Sequence, residues 1–271
     1  MVRSLWTAAT GMIAQQTNVD TIANNLSNVN TTGYKAQVAQ FQSLLYQNLQ
    51  TKTTSANGET KPGSAQVGLG VRNSAITSVF SQGEFIESTS DTSFAIEGNG
   101  FFAIRGLNGE TQYTRNGNFF ISQGVDGLTL CTTEGYPVLD TNGEPIVFPK
   151  DTVSNRVSIT GDGRFQYPDE TNNPQDFGIQ IEVVQFNNPN GMYKNDGGYY
   201  EVTDASGEAM SESSNDALSK SKVVKGYLEA SNVQVVDEMV NLIVAQRAYE
   251  LNSKAITTTD DMMQTANQLK S

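Results

Sequence analysis

The chain has 271 residues, 37% of them hydrophobic, with a mean hydropathy of −0.39 and a formal net charge of −12. That length supplies one large domain or two ordinary ones, and the apolar share supports a core that does not use the whole chain. With no histidine and a single cysteine, Cys131, the sequence excludes Ser-His and Cys-His nucleophiles, imidazole or thiolate metal clusters and an intrachain disulfide.

The charge is uneven. Residues 1–50 carry Arg3 and Lys35 against Asp20, and residues 221–271 carry five basic and six acidic side chains. The middle, 51–220, holds 10 basic and 22 acidic residues, a body that repels phosphate and disfavours nucleic acid. No stretch approaches the roughly eighteen uninterrupted apolar residues that a membrane span needs. The apolar run Leu5 to Ala14 is interrupted by Thr7, Thr10 and Gly11 and followed by the polar Gln15 to Asp20. This predicts no cleaved secretory signal, so the protein is either cytoplasmic or exported by a route that leaves none.

In chain order, the first predicted element is a long helix within residues 1–35. Leu5, Met12, Val19 and Leu26 lie seven apart, with a second column of Ala8, Gln15, Ile22 and Val29 and with Ala9 and Ala23 beside it. This heptad-like stripe spans about 25 residues, roughly 37 Å of helix, with Gly33 as its stop. Residues 36–70 read as an extended linker or hairpin. Within it, 50–66 is polar, β-tolerant and poor in core residues.

Residues 71–227 read as mainly β. Asn-Gly or Asp-Gly pairs recur at 57–58, 108–109, 116–117, 126–127, 142–143, 162–163, 190–191 and 196–197, and such pairs supply the positive φ of tight hairpins. Strand-like stretches between them are Ser93–Glu97, Phe101–Ile104, Val157–Ile159 and Ile179–Val184, whereas Glu201 to Ser221 reads as a surface loop.

Residues 228–271 predict a second long helix. Val235, Leu242, Tyr249, Ile256 and Met263 lie seven apart, and Val236, Met239 and Ile243 widen the seam. Ser231 or Asn232 is the expected N-cap, and Asp237 and Glu238 suit the positive end of the helix dipole. The run from 233 to 269 would extend roughly 55 Å. Helices this long with narrow stripes need a partner. Either the two pair as a coiled coil with faces left for neighbouring subunits, or they form an ordinary helix pair packed on the middle. The fold class is thus α+β, with helical ends around a β middle.

Catalytic and cofactor readings fail on spacing. Gly98-Asn99-Gly100-Phe101-Phe102-Ala103 matches G-x-G-x-x-A, but β-prone residues follow where a dinucleotide site needs a helix. Asp140-Thr141-Asn142-Gly143-Glu144 lacks the twelve-residue spacing of a calcium loop. Nothing pairs Glu84 and Glu87, or Asp260 and Asp261, across a cleft. Cys131, in the alternation Leu128-Thr129-Leu130-Cys131, reads as a packed small side chain. No enzyme activity, metal or cofactor is expected.

Ser4-Leu5-Trp6-Thr7-Ala8-Ala9-Thr10-Gly11-Met12, followed by Ile22 to Lys35 (IANNLSNVNTTGYK), closely resembles the N-terminal signature of the flagellar rod and hook protein family. Leu228-Glu229-Ala230-Ser231-Asn232-Val233, with Ile243 to Glu250 (IVAQRAYE), resembles its C-terminal motif. Ile96 to Phe102 and Tyr113 to Phe119 resemble its first β-domain. The residues that carry the resemblance include Asn24, Asn25, Leu26, Asn28, Gly33, Gly98, Gly100, Tyr113, Arg115 and Gly117.

The resemblance implies a structural subunit of a helical polymer. Both terminal helices would form an inner tube, 36–70 would contact neighbouring subunits, and the β region would lie outside. The assembly residues would be Leu5, Met12, Val19, Ile22, Leu26, Val29, Val235, Met239, Leu242, Tyr249, Ile256 and Met263. Phe41 to Gln47 and the polar stretch up to Gly70 look most like the members that build the distal, straight part of the rod. Implied partners are further copies of the chain, other rod proteins, the hook protein, the flagellar type III export apparatus and the P- and L-ring bushing. The alternatives are a proximal rod subunit, a non-polymerising coiled-coil adaptor, and an enzyme acting on peptidoglycan, for which no motif is present.

Overall fold

The computed structural model describes residues 2–50, 65–107, 109–124, 127–150, 152, 156–168, 173–215 and 217–269. They form two compact units, each with its own packing.

The helical unit comprises Met1–Ser27, Gln37–Ser78 and Gln234–Ser271. Helix α1 (Val2–Ser27) packs against α2 (Val235–Gln268). The pair is antiparallel: Gly11 abuts Asn252, while Asn25 Nδ2 lies 3.4 Å from Glu238 Oε1. The described residues of the next stretch, 37–50 and 65–78, form paired strands. Strand β1 (Gln37–Ser43) pairs antiparallel with β4 (Val71–Ser78), and β2 (Tyr46–Gln50) with β3 (Ala65–Gly68). Leu44 N donating to Gly70 O and Leu69 N to Leu45 O continue one ladder into the next. The expectation for 50–66, with its Asn57-Gly58 turn, falls mostly on 51–64, outside the described residues, as do Asn108 and Asp126 of two further turns. Strand β4 pairs within this unit, so the mainly β region begins near 79 and not at 71.

Two details of the helix ends differ from the sequence reading. Helix α1 stops at Ser27, so Val29 leaves the stripe for a turn in which Thr31 N donates to Asn28 O. Neither Ser231 nor Asn232 caps α2. Gln234 holds that position without a side-chain cap, because Asn232 is engaged elsewhere and the Ser231 hydroxyl accepts from Val233 N.

The β unit comprises Asn28–Ala36 and Val79–Val233. Its first strands are β5 (Phe85–Glu87), β6 (Phe94–Glu97), β7 (Phe101–Arg105), β8 (Thr111–Thr114), β9 (Phe119–Gln123), β10 (Leu128–Thr132) and β11 (Val147–Phe148). Then follow β12 (Ser158–Ile159), β13 (Arg164–Pro168), β14 (Pro174–Gln180), β15 (Val183–Gln185), β16 (Tyr193–Lys194) and β17 (Tyr199–Glu201). The last are β18 (Met210–Ser211), β19 (Lys222–Lys225) and β20 (Tyr227–Glu229).

A six-stranded sheet in the order β16-β17-β8-β7-β15-β18 is the centre of this unit. Strand β7 is apolar at Phe101, Phe102, Ala103 and Ile104 because both of its faces are covered. Phe101 and Ala103 join Tyr113, Val184 and Tyr200, and Phe102 and Ile104 join Phe94, Phe119 and Leu130. Edge-to-face ring pairs such as Phe102–Phe119, 5.2 Å between centroids, fill that second cluster.

The apolar run Ile179–Val184 is two strands rather than one. It breaks at Ile181-Glu182, whose amides donate to Gly163 O and Leu139 O, and its halves enter different sheets. Nor is Glu201 to Ser221 only a loop: it begins on the last residue of β17 and contains β18, and the Glu212 carboxylate is buried there on Ser221 N, Ser221 Oγ and Gln185 Nε2. Gly98–Gly100 turns β6 into β7. A Cβ on Gly100 would sit 2.3 Å from Val183 Cγ1, so the glycine serves close strand packing and not a phosphate.

Candidate assembly sites

Inside the helical unit the buried helix positions are mostly small or polar. The buried positions of α2 are Ala245 and Thr259, and those of α1 are Ala8, Ala14, Thr21, Ile22 and Asn25. Ala245, Asn252 and Thr259 lie seven apart, beside the anticipated column. A straight helix drifts about 20° per heptad against a seven-residue repeat. The column Val235, Leu242, Tyr249, Ile256, Met263 is exposed at Val235 and Tyr249 and half-buried at Ile256 and Met263. Leu242 is also half-buried, and Leu5, Met12, Val19 and Leu26 flank the contact from α1 in the same state.

The expected widening residues lie on the wrong side. Val236, Met239 and Ile243 are 73, 52 and 57% exposed. With Val240, Val244 and Leu251 they form an apolar face turned away from Ala245, and Trp6 and Ile13 do the same on α1. A soluble helix normally turns such a face inward. The carboxyl of Glu238, half-buried beside Asn25, is pushed above its ordinary pKa by burial.

The β unit holds a second site, which joins all three signature segments. Gly33 has φ +69°, and a Cβ there would lie 2.6 Å from Asn116 N, so glycine alone lets the strap 28–36 lie flat on that backbone. Thr32 Oγ1 donates to Asn116 Oδ1 at 2.9 Å and Gly33 N to Glu229 O at 2.8 Å. Lys35 is thereby placed with its Nζ 2.6 Å from Glu229 Oε1 and 2.7 Å from Ser81 O, fully buried. From the other side Arg115 reaches Glu229 Oε2 at 3.3 Å and Gly98 O at 2.7 Å, with its guanidinium 5.1 Å above the centre of the Phe101 ring.

Two cations thus share one carboxylate, which also accepts from Gly83 N. Burial pulls the pKa of both Lys35 and Arg115 down, and Glu229 opposes this by favouring their charged forms. The surplus positive charge is met by two carbonyls and a ring face.

The remaining signature residues serve the same two units. Asn25 pairs its amide with the backbone of Gln37 in both directions, each at 2.8 Å. Asn24 is exposed on α1, and Asn28 accepts from Thr31. Tyr113 packs edge-on against Phe186, and Gly117 lies where any Cβ would strike Phe94 O. Sequence reasoning missed Lys35, Glu229 and Asn232 as interacting groups. The signal was present: Lys35 is one of only two basic residues in 1–50, inside an otherwise uncharged motif.

Among the described residues no cluster of three metal-ligating side chains occurs, and no helix is long and apolar enough to cross a membrane. Glu84, Glu87, Asp260 and Asp261 are exposed, and Asp140 uses its carboxylate to hold the turn amides of Asn142 and Glu144.

Residues 5–35 match the family described as flagella basal body rod protein, 95–167 the flagellar hook protein FlgE/F/G D1 domain, and 224–269 the flagellar basal body rod FlgEFG protein C-terminal family. These define the class, the axial proteins of the flagellar rod and hook. Flagellar basal-body rod protein FlgG of Borreliella burgdorferi is 43% identical, covering 100% of this chain and 99% of the relative. That of Agrobacterium fabrum is 40% identical over 96% and 97%, and that of Caulobacter vibrioides 38% over 100% of both. The chain belongs to the flagellar basal-body rod protein FlgG family. It is a structural subunit of the distal rod and not an enzyme, located in the basal-body rod and assembling with other rod and hook components.

Proposed function

We propose that the chain polymerises helically into a straight shaft that passes torque from the motor to the hook. The observation that carries this reading is the apolar face of α2, Val236, Val240, Ile243, Val244 and Leu251, exposed in the single chain. Further copies of the chain cover it, burying about 25 cal/mol per Å² of apolar surface. Heterologous contacts of that kind build open helical polymers and spread load over many copies. In the assembled rod α1 and α2 form an inner coiled-coil layer, and the paired strands of 37–78 bridge neighbouring copies. The acidic β unit faces solvent or the bushing rings. The flagellar type III apparatus delivers the subunit to the periplasm, with other rod proteins at one end of the segment and the hook protein at the other.

Electron microscopy of basal bodies from a strain lacking this gene tests the reading. Rods that stop short and carry no hook are expected, with a stub length that separates a distal from a proximal role. Complete rods with hooks would overturn it and bring forward the adaptor reading.

A further inference from the structure

The chain passes between its two units at four places, after residues 27, 36, 78 and 233. Inside the β unit, three of these stretches are bound to one another. Ala36 N donates to Asn232 Oδ1 at 2.7 Å, and Asn232 Nδ2 donates to Val79 O at 2.8 Å and to Ser81 Oγ at 2.9 Å. Val79 N returns to Ala36 O at 2.7 Å. One layer deeper, Lys35 joins Ser81 O to Glu229, and Arg115 fastens Glu229 to the turn at Gly98. The fourth stretch, which begins at Asn28, is tied through Gly33 N to Glu229 O.

We propose that Asn232, Lys35, Glu229 and Arg115 form a mechanical clamp that makes the four connections act in parallel. The proposal rests on the torque reading above. A connection loaded alone peels its hydrogen bonds one at a time. Cross-tied connections must lose several bonds together, including two buried charge-assisted ones whose rupture exposes unpaired charges to a dry site. The clamp is assembled from residues near both ends of the chain, so it closes only when the C-terminal segment is in place. Asn232 is the positioning residue: its one amide ties its own stretch to Ala36 and to Val79 and Ser81, as Lys35 ties the same stretches one layer deeper. Its partly exposed setting also makes it the least costly member to alter.

The variant Asn232→Ala in the full-length chain separates a clamp from an ordinary fold contact. In hydrogen exchange of the purified protein, the amide of Ala36, whose acceptor is the Asn232 side chain, should exchange about tenfold faster, the change expected for one lost hydrogen bond. Those of Phe102 and Ala103 on β7 should be unchanged. In cells the variant should build rods with hooks in normal number, seen by electron microscopy. Its motors should match wild type when turning a small bead and lose speed, or stop, when turning a large one.

Unchanged exchange at Ala36, an equal rise throughout the β unit, or wild-type speed at every load would overturn the clamp. Absence of hooks in the variant would also overturn it, and would assign Asn232 to folding or assembly. Failure of the polymer reading is seen separately, as complete rods with hooks in the deletion strain.

Discussion

The two units of this chain solve the problem of apolar surface in opposite ways. In the β unit, strand β7 buries four consecutive apolar residues between two clusters, and the unit even closes a carboxylate and two cations inside itself. In the helical unit the buried helix positions are mostly small or polar, Ala8, Ala14, Thr21, Asn25, Ala245 and Thr259 with Ile22, while Val236, Ile243, Val244 and Leu251 remain exposed. The difference teaches where each unit takes its stability from. One is complete within a single chain. The other leaves several of its largest apolar side chains outside the contact between its own two helices, where the polymer reading places further copies.

The sharpest way to break the self-sufficiency of the β unit is Glu229→Ala. Removing the one carboxylate between Lys35 and Arg115 leaves two buried, unpaired cations, and a loss of about 3–5 kcal/mol is expected. Urea unfolding followed by near-ultraviolet circular dichroism of the β-unit tyrosines measures it. A midpoint within error of wild type would mean that water already reaches the junction.

A smaller loss is expected for Gly33→Ala. The left-handed backbone, together with Asn116 N at 2.6 Å from the new methyl, costs about 1–3 kcal/mol unless the strap lifts. If the strap lifts, Thr32 and Lys35 lose their partners as well, and proteolysis near residue 33 should appear in the folded protein.

Smaller still, and opposite in sign, is Glu182→Gln. Burial pushes this carboxyl up, and Asp140 and Glu212 add to the shift against a single hydrogen bond from Ser211. One of its oxygens has no partner among the described residues. An acid whose folded pKa is raised destabilises the fold wherever it must be charged, above that pKa. The variant should therefore melt higher than wild type at pH 7. The gain should vanish as the pH falls below the ordinary carboxylate value of about 4.3, where both states are protonated. A gain that persists at low pH would point to packing instead of charge.

How far these features were legible in the sequence follows from what each depends on. Both helices and the strands at Phe94–Glu97 and Phe101–Arg105 are local periodicities, and their residues announce them. The inward side of α2 was not legible. The seven-residue column marks the most apolar stripe, whereas the buried residues of α2 are Ala245 and Thr259, in the adjacent column whose Asn252 abuts Gly11. Hydrophobicity locates a buried face only if burial happens within the same chain. Pairing of Gln37 with Ser78 and of Tyr46 with Gly68 is a long-range choice that neither stretch encodes alone. The junction was half legible: glycine and arginine in the signature stood out, but the 194-residue separation of Lys35 from Glu229 hid their contact.

The last test is expected to have the smallest effect on the single chain and bears directly on the contrast between units. Ile243→Asp changes a side chain that is 57% exposed and faces away from α1. An exposed helical substitution of this kind shifts stability by no more than about 0.5 kcal/mol, so the melting of the purified monomer should match wild type. Polymerisation should fail, since the aspartate would carry an unpaired charge into an apolar contact between copies. Sedimentation of the protein at rising concentration reads this directly. A variant that melts early would show that Ile243 supports its own chain, and one that polymerises normally would show that the outward face of α2 is not where copies meet. A monomer that is intact yet unable to assemble would show that this face belongs to the polymer alone.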